Sequence, residues 1–311
     1  MLLRASPSRV WAALAVVYVV WGSTYLAIEL AVRTMPPLLM LSTRFLLAGA
    51  LLYVIVAARE GRLLRPPPVS EWRWAFVVGA ALLLVGNGTV GWAEDRGVDT
   101  GSAAIIVASM PFWLALLDRL LYGRRLTRLV AGGLVVGFCG VAILVSPGGS
   151  SSDHLGELAL VVSSAVWALG SLWARRQTGS SPMLTAAMQM LAGGLLLDIA
   201  GTAAGEWGDV EPGSISASSL AGLAYLALVG SLLGYTSFAW LIRVAPTSLV
   251  GTYAYVNPVV AVLLGTVFLA EALSARVLVG GAIVIAAVAV IVTGTQVVRR
   301  RSVAAAPVRA Q

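Results

Sequence analysis

The chain has 311 residues, of which 59% are apolar and 11% charged, against about 45–50% and about 25% in an ordinary soluble domain. The 21 basic and 14 acidic residues cannot clothe a chain of this size in water, so a soluble globular protein is excluded, and so apolar a composition excludes a disordered chain as well. The net charge of +7 invites a nucleic-acid reading, but there is no soluble domain to carry a basic patch.

A helix crosses the hydrocarbon with about 20 mostly apolar residues. Ten such runs follow one another, at 10–32, 36–58, 74–95, 99–120, 129–146, 156–174, 183–204, 218–242, 247–269 and 276–297. The first is too long for the core of a cleaved signal and is expected to stay as helix 1. With the N-terminus in the cytoplasm, seventeen arginines fall inside, from Arg4 and Arg9 to Arg299, Arg300, Arg301 and Arg309, while Arg33, Arg96 and Arg276 fall outside and Arg44 falls within a helix. That asymmetry sets both termini inside. Acids show the reverse trend: Glu94, Asp95, Asp99, Asp153, Glu157, Glu206, Asp209, Glu211 and Glu271 fall outside. The positive charge is therefore a topology signal, and no nucleic-acid partner is expected.

Residues 97–145 match 244–292 at a constant offset of 147, pairing Thr100 with Thr247, Pro111 with Pro258, Leu126 with Leu273 and Gly133 with Gly280. Earlier helices extend the match, with Trp21 beside Trp167 and Arg44 beside Gln189. The expected fold is an all-α membrane protein whose ten transmembrane helices form two five-helix repeats, at 10–146 and 156–297, followed by a cytoplasmic tail at 298–311. Five spans per half is an odd number, so the second half enters the membrane inverted. Inverted repeats place the substrate site near the midplane between the halves, and alternating access is then a rocking of one half on the other.

Particular residues now give the chain a family likeness. Trp21-Gly22-Ser23-Thr24-Tyr25, Arg44-Phe45-Leu46, Gly86-Asn87, Ala93-Glu94, Pro111, Trp167-Ala168, Tyr255-Val256-Asn257-Pro258 and Ala270-Glu271 resemble the EamA-domain branch of the drug/metabolite transporter superfamily over residues 10–297. The resemblance implies an inner-membrane secondary carrier that exports small metabolites or amphipathic compounds, without a cofactor. One departure stands out. Where the family places Gly-Glu after helix 4, this chain has Gly123-Arg124-Arg125, so that acid survives only as Glu271.

Polar groups within lipid are costly, so those at helix centres are the candidates for a solvated cavity. Arg44 heads them, as an anion or gating contact, as the partner of Glu29 or Asp198, or as a side chain snorkelling to the interface. Gln189 shares a helical face with Thr185 and Gly193, a polar stripe that suits either the cavity or a hydrogen bond inside the bundle. Trp21, Thr24, Tyr25 and Glu29 share one face of helix 1, as Ser163, Trp167 and Ser171 do on helix 6, and matching aromatics in both halves suit a cavity wall. Asn87 and Glu94 on helix 3, Ser231 and Tyr235 on helix 8, and Tyr253, Tyr255 and Asn257 on helix 9 add polar groups at depth. Pro111 and Pro258 are expected to break their helices at mid-membrane. Glu29 and Asp198 are the acids expected within the hydrocarbon and, by depth alone, the candidates for coupling to a proton. Gly133 and Gly137 form a GxxxG pair, and Gly280-Gly281 recur in helix 10; both are read as close packing, within the chain or between the protomers of a homo-oligomer.

Two other classes compete with a transporter. An intramembrane enzyme would need catalytic groups, yet the chain has one histidine, His154, one cysteine, Cys139, and no HExxH pattern, which also argues against a metal site. A membrane scaffold would need long loops or a soluble appendage, which ten spans leave no room for.

Overall fold

A computed structural model of the protein describes residues 6–61, 66–123, 127–145, 154–174, 177, 179–245, 250 and 252–304. Arg4, Arg62, Arg65, Arg124, Arg125, Leu126, Asp153, Arg175, Arg176, Thr247 and Arg309, which figure in the topology and the repeat, lie outside those residues. The described residues form helices and no strand.

Ten long helices succeed one another. They are α1 (Pro7–Val32), α2 (Pro37–Arg59), α3 (Val69–Asp95), α4 (Thr100–Tyr122), α5 (Arg128–Val145), α6 (His154–Ala174), α7 (Pro182–Ala203), α8 (Ala217–Leu241), α9 (Tyr253–Leu269) and α10 (Ala275–Ala304). Seven are long and apolar enough to cross a membrane by length and composition, and α5, α9 and α10 carry shorter apolar stretches. Large apolar side chains such as Val19, Leu47, Val54, Leu263 and Val267 stand exposed around the outside, which only lipid makes favourable. The chain is an all-α membrane protein. α10 runs on to Ala304, so the tail expected from residue 298 begins as helix.

Helix starts follow local chemistry. Prolines occupy the first turn of α1, α2 and α7, where a missing N–H costs nothing. The hydroxyls of Ser181 and Ser216 accept from the N–H groups of Leu184 and Ser219 and so cap α7 and α8.

Packing follows a rule of five. α2 lies on α7 and α5 on α10; α1 packs on α9 and α6 on α4; α3 meets α6 and α7, while α8 meets α1 and α2. Exchanging each helix for the one five places along the chain returns these same pairings. The irregularities recur as well, because α3 widens into a π-helix over Ala80–Asn87 and α8 over Leu226–Tyr235. Small residues serve these contacts within the chain: Gly137 faces the Phe112 ring and Gly140 faces Val284 of α10.

Carboxylates tie helix starts together across the molecule. Glu206 accepts from the N–H groups of Leu38 and Leu39 (3.2 and 2.9 Å) at the start of α2. Glu271 accepts from Thr100 and Gly101 (2.9 and 3.3 Å) at the start of α4. Glu71 accepts from the N–H and hydroxyl of Ser180, just before α7. Each acid meets the positive end of a helix dipole and satisfies backbone donors that have no partner inside the helix. Glu157, fully buried, pairs with Arg276 at 3.0 Å and with His154 at 3.2 Å.

Candidate substrate cavity

α1, α2, α3, α4, α6, α8 and α9 surround a cavity. Trp21, Thr24 and Tyr25 of α1 line it, with Arg44 of α2, Asn87 of α3, Trp167 of α6, Tyr235 of α8, and Tyr253, Asn257 and Pro258 of α9. Gln189 and Ser171 do not. Ser171 turns its hydroxyl onto the Trp167 carbonyl at 2.8 Å. Gln189 stands behind the wall, accepting from the Tyr235 hydroxyl at 2.7 Å and donating to Gln177 at 2.6 Å, so its role is to hold Tyr235 in place.

Trp21 is the centre of an aromatic group. Its ring lies 4.8 Å from Phe238, 5.3 Å from Tyr253, 6.4 Å from Trp167 and 6.5 Å from Tyr235, centroid to centroid. Edge-to-face and tilted contacts of this kind give a firm but sequence-distant cluster joining four helices. The π-helical segments make room for it. Gly86 of α3 packs against Trp167 and Gly234 of α8 against Trp21, and a Cβ at either position would clash with the indole. The Asn87 amide donates to the Leu82 carbonyl at 3.2 Å, which satisfies a backbone group within the widened turn.

The two prolines behave differently. α4 is interrupted at Ala108–Ser109, and Pro111 stands in the first turn of its second segment, Met110–Tyr122. Pro258 lies inside the uninterrupted α9, so the break expected there is absent. A proline removes only the bond to the carbonyl four residues back, here Ala254 in the first turn, and one lost bond that close to a helix start leaves the rest of the helix intact. Asn257, with its amide oriented to donate, reaches the carbonyls of Tyr18 at 3.1 Å and Tyr253 at 3.2 Å and ties α9 to α1.

The electrostatics centre on two residues. Arg44 is 4% exposed, donates from Nε to Ser231 Oγ at 3.0 Å, and has no ion pair among the described residues, neither to Glu29 nor to Asp198. Glu29 instead meets Arg33 at 3.4 Å near the helix end, and Asp198 is half-buried on α7; neither lines the cavity. Glu94 is 3% exposed with both oxygens unpartnered among the described residues. It sits one turn beyond Val90 of the cavity wall, with Tyr25, Glu29 and Glu271 near enough to act on it electrostatically.

A family model described as the EamA-like transporter family matches residues 9–146 and again 154–293. The chain belongs to the EamA-like transporter family. Among relatives, the inner membrane transporter YedA of Escherichia coli K12 is 40% identical over 84% of this chain and 83% of its own length. A probable amino-acid metabolite efflux pump of Salmonella typhimurium is 27% identical over 91% and 94%. A solved crystal structure superposes with a TM-score of 0.65 at 20% identity, covering 95% of this chain and 99% of its own, which shows the fold. Membership makes the chain a membrane transporter.

Sequence spacing missed several walls of this cavity. Ile28, Phe45, Val90 and Met110 close it, and Ser164 stands beside Ser163. Apolar side chains in a lipid-borne sequence carry no mark of which way they face. Phe45 alone had a signal, its place next to Arg44.

Proposed function

We propose that the protein is a secondary-active exporter of small metabolites or amphipathic compounds in the cytoplasmic membrane, with both termini in the cytoplasm, and that it is not an enzyme. The halves at 10–146 and 156–297 act as inverted repeats that rock about the cavity between them. The observation that carries this reading is the cavity wall itself: Trp21, Tyr25, Arg44 and Asn87 come from one half, Trp167, Tyr235, Tyr253 and Asn257 from the other. A site shared in that way is remade whenever the halves move, which alternating access requires. The family membership, the rule-of-five packing and the paired π-helical segments support it. The names of the Escherichia coli and Salmonella typhimurium relatives support the membrane and the outward direction.

Proton coupling belongs to the same reading, and Glu94 is better placed for it than Glu29 or Asp198, being buried, unpartnered among the described residues and adjacent to the wall. The test is a ligand-stabilisation screen of the purified protein, followed by flux into liposomes for each hit. Hits weakened by Trp21→Ala and by Trp167→Ala are the expected result; hits indifferent to both would move the site elsewhere.

A further inference from the structure

Arg44 alone among the cavity-lining residues carries a charge. Its Nε is committed to Ser231, while Nη1 is buried and bonded to nothing among the described residues. The Phe45 ring, 4.6 Å from the guanidinium carbon, offers a π face and no counter-charge. A guanidinium does not give up its proton, so it cannot escape the cost of burial by neutralising itself. A buried charge without a partner is tolerated where function supplies the partner. Nη1 and Nη2 lie side by side in the guanidinium plane, the fork that matches the two oxygens of a carboxylate.

The geometry points to a small organic acid as the transported substrate, its carboxylate on the free edge of Arg44 and its flat apolar body against Trp21 and Trp167. This rests on the cavity being the transport site. Cations are disfavoured by the same arrangement, because Arg44 repels them and no lining residue is an acid. An amino acid is disfavoured for its ammonium group, which finds no counter-charge in the wall.

The test uses the purified full chain in low-salt buffer and reads the shift in its thermal unfolding midpoint. The probes are benzoate, phenylacetate and indole-3-acetate, each beside its primary amide, together with phenethylamine, phenylalanine and sodium chloride. At least one acid should bind about tenfold or more tightly than its amide, the loss of one charge-assisted contact being about 1.4 kcal/mol or more. Phenethylamine should not stabilise, and phenylalanine should fall below phenylacetate. Arg44→Gln should abolish the preference for acid over amide, and Arg44→Lys should keep part of it. Acids no better than their amides, an amine that binds as well, phenylalanine above phenylacetate, chloride that acts alone to the same extent, or a preference surviving in Arg44→Gln would each overturn the assignment. If Arg44→Gln does not fold, the ranking in the unaltered protein decides. Acid and amine binding equally, both lost in Trp21→Ala, would refute the organic acid and spare the cavity. An acid preference untouched by Trp21→Ala and Trp167→Ala would refute the cavity instead.

Discussion

Trp21 and Trp167 meet edge to face, their ring centroids 6.4 Å apart and their planes at 84°. Each indole crosses to a glycine of the opposite half, Trp21 to Gly234 and Trp167 to Gly86. The two halves therefore grip each other at the cavity through one tryptophan and one glycine apiece.

Alanine at either glycine should be costly. The new Cβ would lie 2.3 Å from Trp167 Cε3 at Gly86 and 2.8 Å from Trp21 Nε1 at Gly234. Overpacking of this kind destabilises by about 1–3 kcal/mol, to be read as a fall in the unfolding midpoint with a shift in tryptophan emission. Gly132→Ala is the control, since a Cβ there meets nothing within 4 Å. It should be neutral, or stabilising by up to about 1 kcal/mol from helix propensity.

The tryptophan pair should be energetically coupled. A double-mutant cycle of Trp21→Phe and Trp167→Phe, measured by unfolding in detergent, should return a coupling energy of about 0.5–1.5 kcal/mol. Additive losses would mean that the edge contact is geometric only.

Glu157 and Arg276 form the buried ion pair that joins the start of α6 to the start of α10. Arg276→Leu leaves the fully buried carboxylate with His154 alone and should destabilise by up to about 3–5 kcal/mol. Replacing both, as Glu157→Gln with Arg276→Leu, should recover much of that loss in the same unfolding measurement.

Glu271 should govern the opening of α4. In Glu271→Ala the N–H groups of Thr100 and Gly101 lose their acceptor, with a loss of about 1–3 kcal/mol. Hydrogen exchange at residues 100–103 should accelerate while exchange in the body of α6 stays as before.

Glu94→Gln keeps the shape of the side chain and fixes it uncharged. In liposomes a pH gradient should no longer drive net transport, whereas exchange of substrate across the membrane without a gradient should continue. Gradient-driven transport that survives the change would remove Glu94 from coupling.

The ten helices were legible because lipid imposes a minimum length on every span, and Trp21 and Trp167 were legible because the repeat set them at matching depth. Other relations left no trace. Ser231 holds Arg44 from 187 residues away, and helical periodicity says which residues share a face but not which helix that face meets. For the same reason the face of Gln189 suited a lining residue and a bundle-internal hydrogen bond alike, and only its place behind Tyr235 decides for the second. Glu206 and Glu271 read as outside charges, yet their destinations are backbone donors of distant helices, and a backbone donor has no letter in the sequence. Pro258 misled because a proline marks a lost hydrogen bond, and where the helix ends depends on how much helix precedes it.

On the face that the arginine distribution assigns to the outside, Glu206 and Glu271 of the second half fasten α2 and α4 of the first. On the inner face Glu71 of the first half reaches the approach to α7. The position that repeats Glu271 at the offset of 147 is Arg124, and a guanidinium can only donate. Among the described residues, two of these carboxylates fasten the outer face and one the inner. If the halves rock as proposed, one charged hydrogen bond, about 1.5–3 kcal/mol, weights one orientation of the carrier over the other by a factor of roughly ten to 150. Removing an outer contact, as in Glu271→Ala, would then move the carrier toward the state open to the outside.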